Sequence, residues 1–227
     1  MLPFHLIISL IVVFSRLIVV FSSSLVAMWV SLEINTISLI PLMKSKGGSK
    51  YFLAQSVGSA MILSGCALNL EWLVFLGAIV KAGIGPVHAW FPQVMEHLSW
   101  KLCLVLSTWQ KIGPLVVMIS RARSSLVLLL GCFSLVLGSV GAIKQTRLRN
   151  IMAYSSITHM GWVLCGFLIR GSMAFIYFFV YCLTSFFVII KLSNNRRLSV
   201  FKRDLRLILI IFSISGLPPF VGFFPKI

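Results

Sequence analysis

The chain has 227 residues, of which 59% are hydrophobic and only 11% are charged. Soluble domains carry about 25% charged residues, so this composition excludes a soluble globular protein. The formal net charge of +16 arises from 20 Lys and Arg against 4 Asp and Glu. A nucleic-acid interface would need polar faces that this chain lacks, so we expect no nucleic-acid partner and place the basic residues in the loops of a membrane protein.

Nine mostly apolar segments are predicted to cross a lipid bilayer, because a span of the hydrocarbon core takes about 17 to 25 residues. They are residues 2–21, 24–43, 51–70, 72–92, 102–119, 125–143, 151–169, 172–190 and 207–225. The short connections leave no room for a water-soluble domain. The predicted fold class is therefore all-α, a polytopic membrane helix bundle of about nine transmembrane helices that forms a single membrane domain over residues 1–227.

The basic residues are distributed unevenly between the two ends of these spans. Three lie on the side opposite the N-terminus: Arg121, Arg123 and Arg170. Thirteen lie on the N-terminal side: Lys44, Lys46, Lys50, Lys101, Lys144, Arg147, Arg149, Lys191, Arg196, Arg197, Lys202, Arg203 and Arg206. The positive-inside rule then predicts that the N-terminus faces the inner compartment.

The five cysteines lie singly in apolar segments, without a Cys-x-x-Cys pair or a histidine at ligand spacing. They are Cys66, Cys103, Cys132, Cys165 and Cys182. We expect buried thiols and predict no metal site in this chain.

Ionisable residues within the spans are the strongest functional signal. Glu33, Lys81 and Lys111 lie near the middle of spans two, four and five. A charge at the bilayer centre costs about 2.5 to 3.5 kcal/mol, so such residues normally face the bundle interior and mark an ion path. The alternative is that they only hold helices together, although a buried ion pair often adds little net stability. Arg16, about one turn from the end of span one, is instead expected to extend to the membrane interface.

Polar side chains accompany these charges at helical spacing. Those near Glu33 and Lys111, or on a shared face of span three, are Thr36, Gln55, Ser59, Ser107 and Thr108. Span seven carries a polar stripe of Tyr154, Ser155, Thr158 and His159. His159 fits a hydrogen-bonded core residue and a proton relay equally well, and His88 favours the core reading. Small residues of span six, including Ser134 and Gly138, are expected to make close helix contacts.

Two predicted spans contain helix-breaking residues, AGIGP at 82–86 in span four and SGLPPF at 215–220 in span nine. Broken helices are tolerated where they line a cavity. The two spans lie five apart and so run in opposite directions, which is typical of an inverted-topology repeat. We predict a first five-helix repeat over residues 1–122 and an incomplete second repeat over residues 123–227.

Six sequence runs carry a family resemblance. They are MWVSLEINTISLIPLM at 28–43, KYFLAQS at 50–56, VKAGIGPVHAWFPQV at 80–94, LSTWQKIGP at 106–114, KQTRLRNIMAYSSITHMGW at 144–162 and SGLPPFVGFFPK at 215–226. In this order they resemble the mitochondrial NADH dehydrogenase subunit 2 family, antiporter-like membrane subunits of respiratory complex I. The family pattern continues beyond Ile227, so we expect a partial sequence. Departures include Gly-Ala-Ile-Lys at 141–144 and Asn150, where the family usually has Gly-Gly-Leu-Asn and Lys.

The resemblance implies proton translocation coupled to electron transfer from NADH to ubiquinone. It places proton-carrying roles on Glu33, Lys81, Lys111 and Lys226. It implies a multi-pass subunit of the mitochondrial inner membrane with a matrix-side N-terminus, in contact with lipid and with other complex I membrane subunits. No cofactor is expected in this chain, because NAD, FMN, iron–sulfur clusters and ubiquinone are implied in partner subunits.

The expected proton path runs from Glu33 and Lys81 to Lys111, then to Lys226, with His159 as a further candidate. A close Glu33 would favour charged Lys81, whereas burial without it would favour proton release, so the pair could act as a switch. Two other functions stay open. One is a stand-alone cation/proton antiporter subunit or channel of the same superfamily, and the other is a structural bundle that only bridges its neighbours.

Overall fold

The computed structural model describes residues 2–43, 45–121, 124–169 and 171–194. Within these ranges every regular element is a helix, which confirms the all-α prediction. The elements are α1 (Leu2–Phe21), α2 (Leu25–Leu39), a short 3-10 helix (Ile40–Leu42), α3 (Ser45–Ala67), α4 (Glu71–Ala82), α5 (Trp90–His97), α6 (Trp100–Ser107), α7 (Trp109–Arg121), α8 (Ser124–Ile143), α9 (Leu148–Ile169) and α10 (Gly171–Asn194). The ninth predicted span, residues 207–225, lies outside the described ranges together with Lys226.

Large apolar side chains cover the outside of the bundle. On α10 alone Phe175, Phe179 and Phe187 are exposed, a pattern that soluble proteins avoid and a lipid environment favours. Five described segments are long and apolar enough to cross a membrane: Leu25–Leu42, Trp100–Ser120, Leu126–Ile143, Leu148–Leu168 and Gly171–Ser193. A shorter apolar helix covers Leu6–Phe21. The described part of the chain is thus a multi-pass membrane bundle.

Local sequence explains where α1 and α2 meet and where α2 ends. Three consecutive serines follow α1, and the last of them, Ser24, caps α2 by accepting a hydrogen bond from the Ala27 amide at 3.4 Å. Serine is favoured at this position because its hydroxyl replaces a missing helical acceptor. Pro41 has no amide proton to donate to a carbonyl of the preceding turn, so the α-helix ends there and continues as the short 3-10 helix.

Span four is broken where the sequence predicted. Helix α4 ends at Ala82, Gly83 follows with φ of 64°, and the next helix begins only at Trp90. The Gly83 amide donates to the Val80 carbonyl and the Ile84 amide to the Ile79 carbonyl. This pair of bonds is a Schellman motif, which requires a left-handed residue that glycine supplies without a steric penalty.

Span five is also interrupted, which the sequence analysis did not predict. It consists of α6 and α7, separated at Thr108, where φ is −114° and ψ is −70°. The Thr108 hydroxyl donates to the Leu104 carbonyl at 2.7 Å. Hydroxyl bonds to the preceding turn compete with the backbone and bend helices. No Gly or Pro stands at this position, so the break left no obvious sequence signal.

Glycines bring two helix pairs into close contact. A Cβ on Gly77 of α4 would come within 2.6 Å of the Gly58 carbonyl oxygen of α3, so neither position has room for a side chain. Helices α8 and α9 make the most extensive contact of the bundle. A Cβ on Gly138 would come within 2.5 Å of the Thr158 side chain, and Ser134 is fully buried. The prediction of close-packing small residues in span six is confirmed.

The cysteines differ from one another in exposure. Cys103 is buried as predicted, and Cys66, Cys165 and Cys182 are partly buried. Cys132 is exposed, so the expectation of a buried thiol was wrong there. It lies on α8 beside the exposed side chains of Leu128, Leu129 and Phe133. Cys132 lies at the margin of the α8–α9 contact, where it approaches the Cys165 thiol of α9 without being covered by it.

Candidate functional site

Glu33 of α2 and Lys81 of α4 form an ion pair inside the bundle. The Lys81 ammonium donates to Glu33 Oε1 at 2.9 Å. The two partners differ in exposure: the Lys81 side chain is 0% exposed, whereas that of Glu33 is 25% exposed. One charge is thus enclosed by protein, and the other has a face toward the surroundings of the chain.

The break after α4 fixes the position of Lys81. A helix end leaves backbone carbonyls without helical partners, and side chains from other elements supply them here. Gln55 of α3 donates to the Lys81 carbonyl, and Trp90 of α5 donates to the Val80 carbonyl, each at 3.1 Å. The Lys81 stem packs against Gly58, where a Cβ would come within 2.7 Å of Lys81 Cγ. The backbone and stem of Lys81 are therefore held by α3 and its ammonium by α2, while α5 holds the adjacent Val80 carbonyl.

Lys111 of α7 is 1% exposed and has neutral partners. Its ammonium donates to the Ser156 hydroxyl at 2.6 Å and to the Ser156 carbonyl at 3.1 Å, both on α9. It also lies over the Phe91 ring, 4.8 Å from the centroid, in a cation–π contact. Among the described residues, no carboxylate pairs with Lys111. Its proton is therefore held by oxygens that carry no formal charge.

The polar neighbours predicted for the charges mostly bind their own helices. The hydroxyls of Ser107 and Thr108 both donate to the Leu104 carbonyl, and Thr36 donates to the Glu33 carbonyl. These short side chains satisfy themselves on the preceding turn, a common habit of Ser and Thr in helices. Ser156, which does bind Lys111, was not among the polar stripe residues identified on span seven. The stripe showed that polar side chains recur at helical spacing on α9, but it did not show which face of α9 packs against α7.

His159 lies one turn beyond Ser156 on α9 and is buried. Its Nδ1 is 2.9 Å from the Tyr177 hydroxyl of α10, and its ring lies 5.0 Å from that of Tyr181. The Tyr181 hydroxyl donates to the Ser107 carbonyl at 3.1 Å. Lys111, Ser156 and His159 therefore belong to one region between α7, α9 and α10. His88 is only half-buried, and its Nδ1 is 3.1 Å from the Pro86 carbonyl oxygen, so it is less enclosed than the predicted core role implied.

Arg16 does not extend to the membrane interface as predicted. It is only 3% exposed, and its Nη2 donates to the Gln110 side chain of α7. The Gln110 amide donates in turn to Asn35 of α2, and Asn35 donates to the Ser15 hydroxyl at 2.9 Å. Helix α7 packs on α1, and a Cβ on Gly113 would overlap the guanidinium. Position along span one suggested a free end, but tertiary packing encloses it.

Three of the five predicted site residues thus lie in two buried groups, Glu33 with Lys81 and Lys111 with Ser156, and His159 adjoins the second group. Lys226 lies outside the described residues. A lysine can release and regain a proton when its surroundings change. Across the four described ranges, no three His, Cys, Asp or Glu side chains are grouped as a metal site would need.

Comparisons with known proteins show strong similarity to one family. A family model described as NADH:quinone oxidoreductase/Mrp antiporter, TM, matches residues 66–227. The chain is 34% identical to NADH-ubiquinone oxidoreductase chain 2 of Anopheles gambiae, covering 94% of this chain and 72% of that protein. It is 35% identical to the Lumbricus terrestris protein of the same name, with 95% and 73% covered. The Salmo salar protein is 34% identical, with 90% and 69% covered.

A solved structure has the same fold. A chain of respiratory complex I from Thermus thermophilus with bound aureothin superimposes with a TM-score of 0.86 at 23% sequence identity. The match covers 96% of this chain and 61% of that chain. Family model, relatives and fold agree. The chain therefore belongs to the NADH-ubiquinone oxidoreductase chain 2 family, the proton-translocating, antiporter-like membrane subunits of NADH:ubiquinone oxidoreductase, respiratory complex I.

Proposed function

We propose that this chain carries protons across the mitochondrial inner membrane along its buried ionisable residues, from Glu33 and Lys81 to Lys111 and His159 and on to Lys226. The observation that carries the proposal is the ion pair between a fully enclosed Lys81 and a partly exposed Glu33, at the end of a broken helix. Charged groups within membrane spans are rare and mark ion paths. A purely structural pair would not need the helix to break beside it.

The difference in exposure suggests how the first step works. Glu33 is only partly enclosed by this chain, since a quarter of its side chain is exposed, so a proton donor outside this chain can reach it, whereas Lys81 can be reached through Glu33 or the protein interior. While the carboxylate is close, it stabilises the protonated lysine. When Glu33 is protonated or moves away, burial disfavours the charged lysine and the proton can leave. The pair therefore acts as a gate whose state depends on helix positions.

The second lysine is suited to receive that proton and pass it on. Lys111 is held by a hydroxyl and a carbonyl of Ser156, so its charge is not neutralised by a carboxylate of the described residues. One turn along α9 from Ser156 lies His159, whose Nδ1 is 2.9 Å from the Tyr177 hydroxyl. Imidazole and phenol groups that share a hydrogen bond can relay a proton, although buried water would have to bridge the gaps. Lys226 is the further station in this proposal.

The membrane arrangement proposed with this path has nine spans in two inverted repeats, residues 1–122 and 123–227, with the N-terminus on the matrix side. Basic residues near helix ends support this orientation. Lys50 at the start of α3 donates to Gln93 near the end of α5, and Arg149 at the start of α9 donates to the Glu96 carbonyl of α5. These groups share one end of the bundle, as the positive-inside rule requires. Electron transfer, with its cofactors, takes place in partner subunits of the complex.

The proposal can be tested in assembled complex reconstituted into proteoliposomes. Lys81→Met is compared with Lys101→Gln, because both remove one positive charge but Lys101 is exposed at the start of α6. We expect Lys81→Met to lower proton uptake and ubiquinone reduction sharply, and Lys101→Gln to leave both unchanged. Normal proton uptake by Lys81→Met would reject the proposed path. Sodium transport without redox coupling would favour the cation/proton antiporter alternative, and changed stability with unchanged transport would favour the structural bundle.

A further inference from the structure

Arg16 and Tyr51 leave three buried polar atoms without partners. Arg16 is 3% exposed and Tyr51 is 0% exposed. The guanidinium uses Nη2 to bind Gln110, but its Nε and Nη1 have no hydrogen-bond partner among the described residues, and neither has the Tyr51 hydroxyl. Buried polar groups in native proteins are almost always hydrogen-bonded, and where protein partners are lacking ordered water takes their place.

These atoms lie near the Glu33–Lys81 pair and near Gln110 of α7. Tyr51 of α3 lies one turn before Gln55, which donates to the Lys81 carbonyl, and its ring contacts Trp90, which donates to the Val80 carbonyl. The electrostatic influence of Arg16 and Glu33 on Tyr51 agrees with this placement. On the other side Arg16 binds Gln110, the residue directly before Lys111. Gly113, one turn further along α7, leaves the space that the guanidinium occupies. Five helices, α1 to α4 and α7, thus surround one polar region.

We propose that Arg16 and Tyr51 bind water between the Glu33–Lys81 pair and Gln110, and that Arg16 is a positioning residue of the proton path. This inference rests on the proposed function and fills the interval between its first two lysines. The guanidinium keeps its proton in proteins, so it acts by orienting water and by supplying a charge that stays constant while Glu33 and Lys81 exchange protons. The Tyr51 hydroxyl can both donate and accept, as a relay requires.

The alternative role for Arg16 is purely structural, since the bond to Gln110 also ties α1 to α7. The two roles predict opposite effects of Tyr51→Phe. If the hydroxyl binds nothing, its removal relieves a buried unsatisfied group, so stability rises and transport is unchanged. If the hydroxyl holds water in the path, proton transport falls while the aromatic contact with Trp90 is kept.

The experiment measures proton uptake and thermal stability of the assembled complex with Tyr51→Phe, Arg16→Gln and Arg16→Lys. Lys101→Gln is the control for loss of one positive charge. We expect Tyr51→Phe and Arg16→Gln to lower proton uptake by about threefold or more, as the loss of a bridging water would, without a gain in stability. Arg16→Lys retains the charge and is expected to restore most of the uptake.

Each outcome decides the inference. Unchanged uptake in Tyr51→Phe overturns it, and so does an Arg16→Lys variant that pumps no better than Arg16→Gln. If Arg16→Gln fails to assemble, Tyr51→Phe decides alone. Lys81→Met in parallel separates the two proposals: normal pumping by Lys81→Met rejects the proposed function itself. Impaired pumping by Lys81→Met, with normal pumping by the Tyr51 and Arg16 variants, rejects only the water-binding role.

Discussion

Removing either partner of the Glu33–Lys81 pair is predicted to destabilise the subunit by different amounts. Glu33→Gln leaves an ammonium that is 0% exposed, whereas Lys81→Met leaves a carboxylate that this chain encloses only in part, with 25% of the side chain exposed, and that can take up a proton to become neutral. The cost of an unpaired charge grows with its separation from water. Glu33→Gln should therefore be the more destabilising change, although each removes one side of the same 2.9 Å contact.

The expected magnitudes follow from that difference. Removing one partner of a buried ion pair costs about 3 to 5 kcal/mol of stability. Glu33→Gln should destabilise the subunit by about 3 kcal/mol, because the amide oxygen still accepts a hydrogen bond from Lys81. The weaker enclosure of Glu33 reduces the effect of Lys81→Met to about 1 to 2 kcal/mol. The double variant replaces both charges and should lie within about 1 kcal/mol of the native chain.

The assay is the temperature at which the subunit is lost from the assembled complex. The larger loss of stability lowers this temperature more, so Glu33→Gln should be lost from the complex at a lower temperature than Lys81→Met. Glu71→Gln, an exposed glutamate in the first turn of α4, is the matched control. Equal destabilisation by the two single variants, or a double variant less stable than Glu33→Gln, would refute the burial argument.

Three further substitutions test the surroundings of the lysines. Ser156→Ala removes the closer of the two hydrogen-bond acceptors of Lys111, so it should lower the stability of the subunit by about 1.5 to 3 kcal/mol and slow proton uptake. An unchanged rate of proton uptake would exclude Ser156 from the path. Gly77→Ala should lower the stability of the subunit by about 1 to 3 kcal/mol, whereas Gly166→Ala should not, because the nearest atom to a Cβ there is 3.7 Å away. Equal effects of the two substitutions would contradict close packing of α3 on α4. Gly83→Ala, at φ of 64°, should lower the stability of the subunit by about 1 to 2 kcal/mol and lower proton pumping, because it moves Lys81. Wild-type thermal stability together with wild-type pumping would contradict the role of the break.

The break beside Lys81 could be predicted from sequence because it depends on local chemistry. Gly83 and Pro86 are residues that end helices, so the sequence indicates the break directly. The apolar run of residues 2–21 likewise predicted the bounds of α1. The interruption at Thr108 carries no such signal, because threonine is compatible with a helix and breaks it only when its hydroxyl competes for a carbonyl. Local rules find the first kind of feature and miss the second.

The surroundings of the charges could not be predicted, because they depend on which helix faces meet. Arg16 lies near a helix end in sequence, and only the approach of α7, at Gly113, encloses it. Ser156 is one of several hydroxyls on α9, and the position of Lys111 selects it. Sequence therefore identified the ionisable residues, but tertiary packing determines what each of them binds.

The proposed path requires that buried lysines of this chain carry protons. The most direct measurement is the number of protons taken up per NADH oxidised by proteoliposomes whose complex carries Lys111→Met, compared with Lys101→Gln. Both variants lose one positive charge, but Lys111 is 1% exposed and Lys101 is exposed. If Lys111 carries protons, Lys111→Met should take up fewer protons per NADH oxidised or lose turnover, and Lys101→Gln should keep the wild-type proton yield and turnover. Wild-type yield and turnover in Lys111→Met would contradict it.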